Sequence, residues 1–529
     1  MRVLVGLVSG VIALAACQGA SEPPTIYDVQ ISGGLVFDGL STEGRSTDIF
    51  IEGDQIVFIG NGAKANTHGR TIIDAAGLIV APGFIDPHTH TTSDVLFSNT
   101  KKRLDGYLTQ GVTTVVSGND GQGPTDIGGT LQAVEARGVG PNFALFTGHG
   151  SIRGKVLGRE NRAPTESELD HMRALTRTAL QEGAIGLSSG LYYAPASYAS
   201  TEEIVELAKI AGEYGAPYDT HIRDESTYSV GLLNAVNEAI EISRQSGAPL
   251  HLAHIKALGV DVWGFSDAVI AAVEAAHADG IKVTADQYPW SASGTRISNA
   301  LIPNWAKADS DEAMFARLRD PNNQVRLFDE ITENLRKRGG ADAILLVARP
   351  NGLPSETLTV EADRRGIDPV RAAIEIVLEG DSRIASFNME ASDIENFMVQ
   401  PWVMTSSDGT NGHPRKYASF PRKYQTYVTE KQVISMADFI NRSTRLTADT
   451  LSLCDRGRLQ PGLIADIVVF DPDRFRPVAD FSNPTLLSEG VVHLFVNGKA
   501  AIRDGELSEA LYGQPLRRGT CNQSVETIR

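Results

Sequence analysis

The 529-residue sequence predicts an α/β fold: a (β/α)8 barrel of TIM type, a small β-sandwich domain formed from both termini, and an insertion before the last barrel strand. Three observations carry this expectation. Short apolar runs alternate with amphipathic helical stretches through the middle of the chain. Strand-like alternation is concentrated at the two ends. One interval, ahead of the eighth apolar run, is too long for a single connection.

The expected barrel strands are 83–90, 111–118, 142–149, 184–191, 217–225, 248–256, 282–289 and 401–408. Helical stretches at 201–214, 231–246 and 266–278 lie between several of them. The interval 293–400 holds helical pieces at 311–318 and 324–338, and about 296–400 is assigned to an insertion near the barrel mouth. At the N-terminal end, 27–38 alternates with Val29, Ile31, Leu35 and Phe37 apolar, and 48–60 reads as a hairpin about Gly53-Asp54. Near the other end, 464–470 and 491–502 are strands, the second interrupted by the turn signal Asn497-Gly498. The expected organisation is then 1–16 signal peptide, 17–25 tether, 26–82 first part of the sandwich, 83–453 barrel, 454–515 second part of the sandwich and 516–529 tail.

With 42% hydrophobic and 21% charged residues the chain reads as globular, neither disordered nor an integral membrane protein. A net charge of -17 offers no basic face for nucleic acid. Met1-Arg2 followed by an apolar run to Ala16 is too short for a mature membrane span and fits a cleaved export signal. The sequence Leu14-Ala15-Ala16-Cys17 resembles a bacterial lipobox. That resemblance implies cleavage before Cys17, acylation of its thiol, and a bacterial cell-envelope location facing the periplasm or exterior, with membrane contact only through the lipid. A plain secretory signal is the alternative. Cys454 and Cys521 are free to pair in an oxidising compartment or to stay separate.

The reactive side chains fall at the C-terminal ends of the expected strands, where barrels of this type place their active sites. The first run ends in His88-Thr89-His90, the second reaches Asn119-Asp120, and the others end at His149, His221, His254 and Asp408. His88 and His90 are two residues apart on a strand and point the same way. Two imidazoles on one face can share a metal, and His221 and His254 can add ligands from other strands. Imidazole with carboxylate suits Zn2+ best, with manganese, nickel or cobalt as other divalent options. A carboxylate free of other duties is then needed to move a proton, and Asp408 is the choice. His251 is offset from His254 by an odd number and is expected to face elsewhere.

The stretches 82–90 (Pro-Gly-Phe-Ile-Asp-Pro-His-Thr-His), 148–153 (Gly-His-Gly-Ser-Ile-Arg), 186–193, 220–225, 253–256, 286–290, 407–409 and 413–415 resemble the amidohydrolase superfamily, and within it the D-aminoacylase (N-acyl-D-amino-acid deacylase) family. The resemblance implies that His88 and His90 form one metal pair, that His221 and His254 hold the tighter metal, and that Asp408 is base and acid. It implies that Lys256, Tyr288 and Arg415 grip the substrate carboxylate and that Tyr193 is a pocket tyrosine. His149 and Arg153 also match, His149 as a substrate or second-shell partner or as a structural histidine. The family's metal-binding Cys is replaced by Asp120, a harder ligand that can bind or bridge, or cap a turn with Gly121. The implied cofactor is zinc, one or two ions per subunit. The implied reaction is hydrolysis of an N-acyl-D-amino acid to a carboxylic acid and a free D-amino acid, on a small-molecule or short-peptide substrate. The alternative is a dipeptidase or carboxypeptidase for a C-terminal D residue. A cyclic amidase and an inactive metal- or solute-binding protein stand behind it.

Overall fold

The structure is a computed structural model and describes residues 23–349 and 353–519. The signal-like segment, Cys17 and Cys521 lie outside the described residues. Among the described residues no helix is long and apolar enough to cross a membrane.

Parallel strands form the centre. Phe84–Thr89, Val112–Ser117 and Asn142–Leu145 make one sheet. Thr147–Gly148, Leu187–Gly190, Tyr218–His221, Leu250–Leu252, Val283–Gln287 and Val403–Thr405 make the next, in chain order. The run 142–148 bends at Phe146 and serves both sheets; the Phe146 N–H donates to Ser117 O on one side, and the Thr147 N–H to Gly186 O on the other. A parallel bridge between Thr89 and Gly409 brings the exit of the last strand beside the first.

Period-two alternation sorts the strand residues between two apolar layers. On Phe84–Thr89 and Val112–Ser117, Phe84 and Val115 pack outward among the helices, whereas Ile85 and Val116 join Ala144 and Ile185 inside, against Ala448 and Leu451. The helices follow the same logic with period 3.6. Thr201–Glu213 buries Ile204, Leu207, Ala208 and Ala211, and Ser200 caps it by accepting the Glu203 N–H.

Residues from both chain ends supply two further sheets. One has Thr25–Ser32, Asp48–Glu52, Gln55–Gly60 and Thr67–Asp74; the other joins Ile79–Pro82 to Ile467–Phe470, Val491–Val496 and Lys499–Arg503. Ile31, Ile49, Ile51 and Ile73 of the first share one apolar cluster with Val80, Ile467, Val469 and Phe495 of the second.

The interval before the last strand contains helices where the sequence predicts them, at Asp311–Arg319 and Gln324–Lys337. It also holds an antiparallel sheet that the sequence reading did not foresee: Ala292–Arg296, Arg383–Phe387, Ile344–Val347 and Glu356–Thr357. These elements have their own apolar cluster, with Ile297, Leu301, Leu327, Ile331, Ile344 and Ile384.

Candidate active site

A cavity of about 380 Å³ opens at the C-terminal ends of the parallel strands. Its walls include His90, Asp120, Tyr193, His221, His254, Lys256, Tyr288 and Asp408 from the strand ends, with Arg296 and Arg383 from the inserted sheet.

Tight backbone geometry delivers three of these side chains. Asp120, His254 and Asp408 have φ of 57°, 35° and 46°, a left-handed region that costs a residue with a Cβ about 1–2 kcal/mol. Such conformations concentrate where a side chain must be aimed. Gly190 permits the close approach of the Asp120 loop, since a Cβ there would stand 2.3 Å from the Asp120 carbonyl oxygen.

Asp120 is the hub. Its Oδ1 lies 3.5 Å from His88 Nε2, 3.3 Å from His254 Nε2 and 3.8 Å from His221 Nδ1, and its Oδ2 lies 3.5 Å from His90 Nε2. Two groups of potential ligands therefore share it: His88, His90, Asp120 and Asp408, and Asp120, His221 and His254, with all ligating atoms of each group within 4.8 Å of one another. His221 Nδ1 and His254 Nε2 face each other at 2.9 Å. Asp120 Oδ1 and His88 Nε2 are buried without a hydrogen-bond partner among the described residues. Buried polar atoms of this kind need a partner. Imidazoles and a shared carboxylate turned toward common points fit divalent metal, zinc first.

The electrostatics agree. Burial opposes charge on His88, but Asp120 and Asp286 on either side raise its pKa well above the ordinary imidazole value. The field is thus built to hold positive charge. Burial also opposes ionisation of Asp408, yet the Arg415 guanidinium and His90 hold it below the usual carboxylate range. Burial pushes the Tyr193 and Tyr288 phenols well above their ordinary value, so both stay neutral donors.

Lys256, Tyr288 and Tyr193 line the cavity as expected. Lys256 Nζ is 2.5 Å from Glu225 Oε1 and 2.8 Å from His254 Nδ1, and the Tyr193 ring lies 4.7 Å from that of His221. Two expected substrate contacts are not brought to the cavity wall. His149 begins the helix His149–Leu157 rather than ending a strand, and its Nε2 is 2.8 Å from Glu203 Oε1 in a buried cluster with Arg153. Arg415 is buried behind the wall, its Nη1 2.8 Å from Asp408 Oδ2 and its guanidinium 4.6 Å from the Tyr288 ring centroid. His251 stands outside these two groups, its Nε2 3.0 Å from Asp286 Oδ2, in a third buried group of potential ligands with Asp219 and Asp286.

Sequence reasoning missed Glu225, Arg338 and Arg383, which line the cavity, and Asp286, whose Oδ2 is 3.5 Å from His88 Nδ1. Glu225 had a signal, since it closes the expected strand 217–225 that carries His221. The arginines had none, because they come from the inserted elements.

Comparison with known proteins gives a consistent result. The Amidohydrolase family profile matches residues 71–258 and 384–502. A D-aminoacylase of Alcaligenes xylosoxydans xylosoxydans is 31% identical over 535 residues, covering 95% of this chain and 99% of the relative. A solved D-aminoacylase with a binuclear metal centre superposes with a TM-score of 0.79 at 30% identity, over 93% of this chain and all of the other. The N-acyl-D-glutamate deacylase of Bordetella bronchiseptica, solved with zinc and a phosphonate mimic of the tetrahedral intermediate, gives 0.78 at 29% identity, over 93% and 99%. The chain belongs to the amidohydrolase family, and within it to the D-aminoacylase group.

Proposed function

We propose that the protein is a zinc-dependent deacylase that hydrolyses the amide bond of N-acyl-D-amino acids, releasing a carboxylic acid and a free D-amino acid. The observation that carries this is the pair of ligand groups sharing Asp120, with Asp408 at their edge. The D preference is supported by the relatives, which act on N-acyl-D-amino acids. The parallel strands are read as one closed (β/α)8 barrel, with the terminal sheets as a β-sandwich and residues near 296–400 as an insertion over its mouth. The shared apolar cluster and the bridge at Thr89 support that reading.

His88, His90, Asp120, His221 and His254 would hold the metal. When bound, zinc supplies a Lewis acid for the acyl oxygen and lowers the pKa of water. Asp408, held ionised by Arg415, accepts a proton from the attacking water and returns it to the departing amine nitrogen. Lys256 and neutral Tyr288 hold the substrate's α-carboxylate close to the reacting bond, and the Tyr193 phenol donates toward the acyl group. Arg415 acts through Asp408 rather than on the substrate.

The reading includes export and lipid attachment at Cys17, supported by the apolar run and the lipobox-like Leu14-Ala15-Ala16-Cys17. Incorporation of labelled palmitate in the expressing cell, lost in Cys17→Ser, tests it.

The deciding experiment is turnover of a panel of N-acetyl-D- and N-acetyl-L-amino acids and D-terminal dipeptides by the zinc-loaded protein. Turnover of the D-acyl series alone is expected. A preference for the dipeptides would move the protein to the peptidases, and no turnover of any member would end the reading.

A further inference from the structure

Glu225 stands between a cation of the cavity wall and an imidazole of the ligand cluster. Its Oε1 lies 2.5 Å from Lys256 Nζ and 3.2 Å from His254 Nδ1, and Nζ and Nδ1 are themselves 2.8 Å apart. Its Oε2 lies 3.9 Å from His221 Nε2. All four side chains are buried. Among the described residues Glu225 is the only carboxylate at ion-pair distance from Lys256. Burial opposes ionisation of Glu225, yet Lys256 and the two imidazoles hold its pKa below the ordinary value. The loops that carry the two charges are tied together, since the Leu258 N–H donates to the Glu225 carbonyl oxygen. One carboxylate oxygen thus serves two partners with different duties: Lys256 faces the substrate, and His254 faces the metal.

We infer that Glu225 is a positioning residue that couples carboxylate binding at Lys256 to metal binding at His254, so that the two ligands strengthen each other. This rests on the deacylase reading. The nitrogen of His254 that faces Asp120 and His221 is Nε2. With metal on Nε2, a neutral imidazole carries its proton on Nδ1. Nδ1 is then a donor facing Glu225 Oε1, the arrangement by which a carboxylate orients a metal-binding imidazole. An ammonium has donors only. The 2.8 Å approach of Nζ to Nδ1 then sets donor against donor, and Lys256 gains by turning to a carboxylate in the cavity. The converse also holds. A substrate carboxylate that draws Lys256 away leaves Glu225 buried with less of its counter-charge, which is costly. The Nδ1–H of a metal-holding His254 is the donor placed to offset that cost. Both ligands favour the same arrangement, and such linkage is reciprocal.

The test measures zinc affinity by competition with a chelating dye, with and without the N-methanesulfonyl derivative of the D-amino acid that the turnover panel selects. This sulfonamide keeps the α-carboxylate and has no scissile amide. Its carboxamide, which lacks the charge, is the control. In the parent the carboxylate ligand is expected to raise zinc affinity roughly 5-fold or more above the carboxamide, within the usual range of coupling between sites. Glu225→Gln is expected to weaken zinc binding by about 10- to 100-fold and to bring the two ligands to the same zinc affinity. Glu225→Asp, which keeps the charge, retains part of the coupling. The parent comparison needs no variant and decides the matter should Glu225→Gln fail to fold. Equal zinc affinity with both ligands in a parent that hydrolyses N-acyl-D-amino acids, or coupling that persists in Glu225→Gln, overturns the inference and leaves the deacylase reading in place. Absence of turnover on every N-acyl-D substrate overturns both.

Discussion

Arg415 Nη1 lies 2.8 Å from Asp408 Oδ2, with both side chains buried, while the other oxygen of Asp408 lies 3.1 Å from His90 Nε2. The carboxylate is therefore pinned between a cation and a ligand-group imidazole. This makes Arg415 a positioning residue for the proton carrier and separates its role from that of a substrate clamp.

Arg415→Met is accordingly expected to lower kcat by roughly 100-fold, the cost of a misplaced reacting group, with a smaller change in KM. The sign of the pH effect follows from the pKa direction. Arg415 holds Asp408 below the ordinary carboxylate range against the pull of burial. Its removal raises that pKa, so the acid limb of the rate profile moves to higher pH, with partial return in Arg415→Lys. A raised KM at unchanged kcat and an unmoved limb would return Arg415 to the substrate.

Asp408→Asn removes the proton carrier while keeping the shape. A fall in kcat of about 10²- to 10⁴-fold is expected from loss of general acid–base catalysis. Steady-state kinetics at saturating substrate reads this directly, and near-parental kcat would disprove the assignment.

Asp286 stands behind His88, its Oδ2 3.5 Å from His88 Nδ1 and 3.0 Å from His251 Nε2. Carboxylates in this position orient a metal-binding imidazole, and losing one costs about 10- to 100-fold in affinity. Asp286→Asn is expected to weaken zinc binding by that factor in a competition titration against a chelating dye. An unchanged affinity would show that His88 needs no such support.

The cluster of His149, Arg153 and Glu203 makes a stability prediction. Burial opposes ionisation of Glu203, but His149 and Arg153 hold its pKa below the ordinary value. A depressed folded pKa gives stability that is present above the unfolded value of about 4.3 and lost as pH falls through the folded value. Glu203→Gln leaves Arg153 buried without its counter-charge, and a loss of about 3 kcal/mol is expected. Thermal melting at neutral pH checks the loss. Melting across the acid range checks the slope, which should be shallower in the variant.

Strand ends are the part of the site that the sequence makes legible. A reactive residue closing a short apolar run sits at the mouth of the parallel strands, so His88, His90, Asp120, His221, His254 and Asp408 could be gathered before any coordinates, although left-handed backbone rather than the pleat aims Asp120, His254 and Asp408. His149 misled because the run before it bends at Phe146 and passes into a helix at His149 itself, which turns the ring toward Glu203. Arg383 was hidden for a different reason. Its strand is five residues long and pairs with the Gly294-bearing strand 292–296 across a long helical interval. Periodicity reports which face of a strand is buried; it does not report which distant strand lies opposite. Arg415 was found, but its direction depends on the local fold at 408–415 and could not be read.

Zinc titration into metal-free protein, followed by hydrolysis of an N-acetyl-D-amino acid, tests the central claim most directly. Activity rising with bound zinc, and lost with the metal in His221→Ala and His254→Ala, is the predicted result. Full turnover by the metal-free protein, or by variants lacking these two imidazoles, would contradict the account.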